Sequence, residues 1–444
     1  MSAEEHWEQI AEIEVDPQRA AVYEEGWQSW SPTRAYRFGP IPARPRHAKE
    51  IAMHFRADRL APVSAYQGEG LLAVDPGADG PVQVFGLQDA SVGVASIRAE
   101  ANGDKLVISS DGPVRQVSSR GGLGAALGAW ADEHAAAAGV GPLRPAPTIW
   151  CSWYQYFTQV TEVDIIENLE EMRRLELPVD VVQIDDGYQA EIGDWLDLSG
   201  RFESLPGLTA RILDQGRRAG LWVAPFLVGS RSRLAAEHPD WLVSGADAGN
   251  NWGQDLCVLD VTHPNAAAYL TEVFTSFLDM GFDFFKLDFT YAGALRGRRH
   301  EDLPSITAYR RGIELIREAV GDSYLLGCGA PIFPSVGLFD GMRVGCDISA
   351  TYEPHGEDLS VPSQVDATKN VEARAWQHGR FWVNDPDCLV ARPDGVAKRP
   401  EWAALIERYG GLRGSSDRLA ALDEWGLEVT RRLLSEVPPP TPFD

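Results

Sequence analysis

The 444-residue chain has 44% hydrophobic and 24% charged residues, the mixture of an ordinary folded protein, and its length exceeds what one hydrophobic core usually organises, so two domains are expected. Lys and Arg number 40 against 65 Asp and Glu, a formal charge of -25 that repels phosphate backbones and anionic lipid and argues against nucleic acid or a membrane as partner. Five scattered cysteines without a C-x-x-C pair indicate neither a disulfide framework nor a zinc site, and an acidic start without the basic flank and apolar run of a signal peptide points to the cytoplasm.

From Ala21 to about Ser119, short apolar runs such as LLAVD, VQVFG and LVISS alternate with turns such as DPGADGP and ANGD, which is the texture of an antiparallel β-domain. A sandwich with a helical joiner at 125–134 is expected over residues 1–140, followed by the Pro/Gly linker GVGPLRPAPT. Beyond Pro147 the rhythm changes to short buried runs separated by amphipathic helices, the pattern of β-α units with parallel strands. Eight candidate strands follow in order: 148–153, 180–184, 220–226, 282–287, 323–328, 341–345, 380–384 and 409–413. Thr161 with Asp164 three residues on predicts an N-capped helix over 161–177, and Pro264 opens another that runs to Met280. The fifth-to-sixth connection, GAPIFPSVGLFD, is short and Pro-rich, so its helix should be reduced. The chain is therefore expected to be of the α/β class, a (β/α)8 TIM barrel over 146–436 preceded by a smaller N-terminal β-sandwich.

In such a barrel the pocket lies at the C-terminal ends of the strands, where eight loops converge. The acids obey that rule: Asp185 and Asp186 follow strand two, Asp288 strand four, Asp347 strand six, and Asp385 with Asp387 strand seven. One such aspartate often caps a helix or pairs with an arginine; acids at four strand ends, aimed into one mouth, need protons, cations or hydroxyl-rich ligands to relieve their repulsion. A sugar supplies such hydroxyls. Cleavage of a glycosidic bond with retention needs one attacking and one protonating carboxyl about 5–5.5 Å apart, and strand ends four and six can span that. Lys286, two residues before Asp288 on the same strand face, offers the attacking group a positive neighbour, and Arg343, four residues before Asp347, can orient that acid or a sugar hydroxyl. Trp153, Tyr154, Tyr188 and Trp222 at the same strand ends are either core or flat faces for a pyranose ring.

The blocks WCSWYQYFTQVTEVDI, VVQIDDGYQAEIGDW, GLWVAPF, FFKLDF, LLGCGAP followed by GMRVGCD, and RFWVNDPDCLVAR resemble, in order, those of the α-galactosidases of glycoside hydrolase family 36 and the clan shared with family 27. The resemblance implies that Asp288 is the nucleophile and Asp347 the general acid/base, with no cofactor and no metal ion. It further implies that Asp185 and Asp186 hold O4 and O6 of a galactose while Lys286, Cys328, Arg343 and Trp222 line the same subsite, and that the partner is an α-galactoside oligosaccharide. GWQSWSP resembles the segment by which the family's N-terminal sandwich reaches over the barrel mouth, so that Trp27 or Trp30 closes the subsite; the other reading is a tryptophan pair buried in the sandwich. The chain departs from the family in a shorter sandwich, in ending at PPPTPFD without a C-terminal β-domain, and in Tyr188 where relatives carry Trp. The oligomeric state and the role of the acidic stretch YEPHGEDLSVPSQVD stay open, as do transfer to a sugar acceptor, a different α-glycoside, a silent sugar-binding barrel and a metal-dependent hydrolase.

Overall fold

The computed structural model describes residues 7–42, 44–45, 48–77, 80–354 and 362–443; the first six residues and 355–361, within the acidic stretch noted above, lie outside the described residues. Among the described residues nine strands come first: β1 (Glu8–Glu14), β2 (Ala21–Glu24), β3 (Arg34–Arg37), β4 (Ala65–Glu69), β5 (Leu71–Asp75), β6 (Val82–Leu87), β7 (Ser96–Asn102), β8 (Lys105–Ser110) and β9 (Val114–Ser119). They form two antiparallel sheets, ordered β1-β8-β7-β4 and β3-β2-β5-β6-β9.

Side chains alternate faces along a strand, and β5 uses both of them. Leu72 and Val74 join Val22, Phe85, Ile97, Ala99, Leu106 and Ile108 in the core between the two sheets, whereas Leu71 and Ala73 face the second, larger core that continues into the barrel. A short helix α1 (Ala48–His54) precedes β4, and α2 (Leu123–Ala137), three residues longer at its C-terminus and two at its N-terminus than the predicted joiner, is the wedge between sheet and barrel. Its Trp130 stacks on His134 at 4.8 Å and meets Phe333 and Trp376 edge-on at 5.4 and 6.3 Å. Burial pushes the His134 imidazole down to about 4.

The barrel strands are β10 (Ile149–Cys151), β11 (Val181–Ile184), β12 (Arg218–Val223), β16 (Phe282–Leu287), β17 (Tyr324–Gly327), β18 (Gly341–Arg343), β19 (Val383–Asp385) and β20 (Gly414–Ser415). Each pairs in parallel with its neighbour, and β20 returns to β10. Backbone N–H groups of Gly411, Leu412 and Leu389 donate to Asn384 O, Asn384 O and Gly414 O at 3.1, 2.9 and 2.7 Å, which closes the ring between β19 and β20. All eight predicted strands appear in order, but the last is displaced. The run YGGLR begins on the final residue of helix Arg399–Tyr409 and the strand starts only at Gly414, because a short apolar run cannot by itself separate a helix end from a strand.

The helix expected from Thr161 spans Glu162–Arg174, its capping box complete in both directions between Thr161 and Asp164. The one at Pro264 spans Pro264–Asp279, and the fifth-to-sixth connection holds only the single turn Phe333–Ser335. Between β12 and β16 lies a feature the sequence reading missed, a small antiparallel sheet of β13 (Leu227–Gly229), β14 (Asn250–Asn251) and β15 (Gln254–Val258). Among the described residues no helix is long and apolar enough to cross a membrane.

The sandwich meets α2 at Gly86, where an added Cβ would stand 2.3–2.6 Å from the Trp130 indole, a ring already held on three sides. Gly86→Ala is expected to cost about 2 kcal/mol through overpacking, read as a lower urea midpoint with unchanged slope; a variant as stable as the parent would mean that this interface yields.

Candidate active site

The strand ends deliver their acids to one place. Asp185 follows β11 directly, its N–H donates to Ser152 Oγ at 2.9 Å, and its Oδ2 accepts from Gln183 Nε2 at 2.7 Å, Lys286 Nζ at 3.0 Å and Cys151 Sγ at 3.3 Å. On the neighbouring strands Trp222 and Lys286 are register partners, so both side chains leave the barrel wall on the same side. Trp222 Nε1 donates to Asp288 Oδ2 at 2.8 Å and Lys286 Nζ lies 3.6 Å from the same oxygen, while the Phe289 N–H donates to Asp288 Oδ1 at 2.8 Å. Burial works against the Lys286 ammonium, yet Asp185 and Asp288 outweigh it and hold its pKa well above the ordinary lysine value.

Asp347, beyond β18, is the more open acid, its side chain 35% exposed against 8% for Asp288. Arg343 spans the group beneath it: Nη1 donates to Asp347 Oδ1 at 3.0 Å, Nε to Asp385 Oδ2 at 3.3 Å, and Nη2 lies 2.8 Å from Asp387 Oδ1. One cation thus serves three carboxylates, and a second, Lys286, serves two.

Aromatic side chains close the space above these acids. Trp30, Trp153, Trp222, Trp252, Phe289, His54 and Met53 join Asp185, Asp186, Lys286, Asp288 and Asp347 around a cavity of about 480 Å³, large enough for a monosaccharide. Trp30 arrives from the sandwich. Its segment is bound to the barrel by Ser29 N–H to Ala330 O at 3.0 Å and Ile332 N–H to Trp27 O at 3.1 Å. Beneath it the fully buried Arg374 donates to Glu25 Oε1, Ser29 O, Gln28 O and Val344 O at 2.7–3.1 Å.

Trp252 is one of the lining residues that the sequence reading missed, with Met53, His54 and Phe289 among the others. Asn251 pairs with Gln254, leaving a two-residue hairpin turn of Trp252 and Gly253, both with left-handed φ of 52° and 67°. Such a turn favours Asn-Gly, so a bulky ring at its first position is strained. The turn carries the indole over the cavity, where it is held by its ring contacts with Trp222 and Phe289 and by Nε1 donating to Asp186 Oδ2 at 2.7 Å. The N-x-G pattern was the available signal. Phe289, with φ of 50°, is strained in the same way beside Asp288, and its ring stands 4.8 Å from Trp30 and 5.1 Å from Trp252.

Of the residues singled out from sequence, Asp185, Asp186, Trp222, Lys286, Asp288, Asp347, Trp153 and Trp30 line this one cavity. Arg343, 3% exposed, supports Asp347 from below, and Cys328 is fully buried against Trp30 and Tyr291. Trp27 is elsewhere: it lines two neighbouring hollows under the Arg56 guanidinium, because the turn at 26–31 sends the two tryptophans in different directions. Tyr154 also turns away, its hydroxyl spent on a very short hydrogen bond to Asp387, and Tyr188 is wholly buried, edge-on to Phe277.

Residues 143–308 match the Melibiase family. The α-galactosidase AgaA of Geobacillus stearothermophilus is 27% identical over 143 residues, 30% of this chain and 19% of that protein, so the likeness spans a small part of that relative. Among solved structures, the α-galactosidase TtGalA of Thermus thermophilus in complex with p-nitrophenyl α-D-galactopyranoside superposes with a TM-score of 0.81 at 28% identity, covering 97% of this chain and 92% of that one. The family 36 AgaA structure shares the fold, with a TM-score of 0.64 at 15% identity over 96% of this chain and 61% of that one. The chain is similar in sequence and in fold to family 36 α-galactosidases.

Asp186 carries a pH signature. Burial pushes its carboxyl up to about 6 against the hydrogen bonds from Gln189 and Trp252, with Asp185 and Asp288 adding to the rise. The folded state therefore holds this proton more tightly than the unfolded chain, whose aspartates titrate near ~3.9, so stability from this group is full below about pH 4 and is lost as pH rises through about 6. Relative to the parent, Asp186→Asn should gain on the order of 2–3 kcal/mol between pH 4 and 7, measured by urea unfolding at both values; a difference independent of pH would contradict a desolvated Asp186.

Proposed function

We propose that the chain is an exo-acting α-galactosidase, removing terminal α-galactosyl residues from oligosaccharides with net retention. The observation that carries this reading is that Asp288 and Asp347, from strand ends four and six, face one monosaccharide-sized cavity, the first deep beside Lys286 and Trp222 and the second at the opening beside Arg343. The superposition on TtGalA over nearly the whole chain supports it.

In this reading a galactosyl ring sits on the cavity floor, its hydroxyls donating to Asp185 and Asp186 and accepting from Lys286. The Asp288 carboxylate attacks the anomeric carbon; Trp222 Nε1, Lys286 Nζ and the Phe289 N–H aim it and stabilise its charge. Asp347 protonates the departing glycosidic oxygen, the C–O bond breaks, and a galactosyl ester on Asp288 forms with inversion. Asp347 then takes a proton from water, which attacks the same carbon, breaks the ester bond to release the Asp288 carboxylate and restores the original anomeric configuration. Trp30, Phe289 and Trp252, in mutual ring contact, narrow the space above the floor, which favours a terminal sugar there. The cations facing the carboxylates are Lys286, between Asp185 and Asp288, and Arg343, beside Asp347 and Asp387.

Asp288→Ala should lower turnover of an aryl α-galactoside by a factor on the order of 10⁴, and azide should restore turnover with formation of the β-galactosyl azide. Full activity in the variant, or an α-linked azide product, would overturn the assignment of Asp288. Transfer to a sugar acceptor in place of water is read from the same enzyme by product analysis at high acceptor concentration.

A further inference from the structure

Outside the cavity, Asp387 is a densely bonded carboxylate at the same end of the barrel, 1% exposed and absent from the cavity wall. Its two oxygens accept three hydrogen bonds and face one ion-pair partner. Oδ1 lies 2.8 Å from Arg343 Nη2 and accepts the Cys388 N–H at 2.7 Å; Oδ2 accepts the Ile348 N–H at 3.0 Å and the Tyr154 hydroxyl in a very short bond. Its own N–H donates to Asp385 Oδ1 at 2.8 Å, and its backbone is held at φ 95°, a conformation costly for any residue but glycine. The charged and titratable groups facing it are Arg343, Asp347, Asp385, Tyr154, Cys346 and Cys388. So much donor capacity and backbone strain concentrated on a group that touches no cavity calls for a function beyond packing.

Two of these four contacts lead to Asp347. Arg343, gripped by Asp387 at Nη2, presents Nη1 to Asp347 Oδ1, and Ile348, whose N–H is held by Asp387, is the residue next to Asp347 in the chain. A half-exposed aspartate on a loop would otherwise rotate freely. We propose that Asp387, locked by Tyr154, is the positioning residue for Asp347, setting the direction from which that carboxyl delivers its proton through both the Arg343 side chain and the Ile348 backbone. The proposal rests on the reading of Asp347 as general acid/base, and it gives Tyr154 a role as lock rather than as sugar platform.

Proton delivery matters in proportion to the basicity of the leaving oxygen, so misplacing the donor has a signature that general loosening lacks. The experiment compares kcat/KM of the parent, Asp387→Asn, Tyr154→Phe and Asp347→Ala on three α-galactosides: 2,4-dinitrophenyl, whose oxygen leaves unprotonated, phenyl, and methyl. Asp347→Ala is expected to lose the methyl and phenyl substrates far more than the dinitrophenyl one. Asp387→Asn should follow the same order, with methyl α-galactoside down on the order of 10²-fold and the dinitrophenyl substrate within about threefold of the parent. Tyr154→Phe, which removes one oxygen from a packed ring, should follow it more weakly and keeps the test open should Asp387→Asn fail to fold. Equal losses on all three substrates, or none, in both Asp387→Asn and Tyr154→Phe would overturn this proposal while leaving the discrimination by Asp347→Ala intact. If Asp347→Ala itself fails to discriminate, the parent reading of Asp347 falls and this proposal with it.

Discussion

The site depends on balancing negative charge that water does not reach. Asp185, Asp186, Asp288, Asp385 and Asp387 are all at most 6% exposed and crowd one end of the barrel, against Lys286 and Arg343. Isolated carboxylates so buried cost several kcal/mol each. The balance is achieved by making each cation serve several acids, Lys286 between Asp185 and Asp288 and Arg343 between Asp347, Asp385 and Asp387. Asp186 is the exception, relieved by an amide and an indole N–H alone. It is the place where a neutral, hydroxyl-rich ligand has most to offer.

Strain is concentrated around the same acids. Phe289, Trp252 and Asp387 hold left-handed backbones that non-glycine residues adopt at a cost on the order of 1 kcal/mol or more each. In each case the cost places a side chain that a relaxed turn would not: an aromatic wall beside Asp288, an indole donor over Asp186, and a carboxylate under Arg343. The stability that supports such strain comes from the closed parallel barrel and its continuous core.

The sandwich is part of the site rather than an appendage to it. The Arg374 and Glu25 side chains, both fully buried, form an ion pair between barrel and sandwich, and Arg374 also collects the carbonyls of Gln28, Ser29 and Val344. A pair so buried gains little net stability over an apolar contact, but breaking it strands a charge, so it dictates one docking geometry. That geometry is what brings Trp30 to the cavity.

The order of the strands and the acids at their ends were legible in the chain, because a buried parallel strand must be apolar and a group at its C-terminal end must enter the common mouth. That ground picked out Asp185, Asp186, Asp288, Asp347, Asp385 and Asp387 alike, and of these Asp385 and Asp387 lie outside the cavity wall. Tyr154 and Trp27 could not be distinguished from Trp153 and Trp30, since neighbours in sequence share composition and differ only in which way a turn sends them. Trp252 was hidden in a hairpin that reads as a loop, and the bonds from Arg374 and Asp387 join segments up to hundreds of residues apart. Local pattern determined which residues are buried and where the charges emerge; only the closure of the barrel and the docking of the sandwich decided which of them meet, because those contacts depend on distances that no periodicity in the chain encodes.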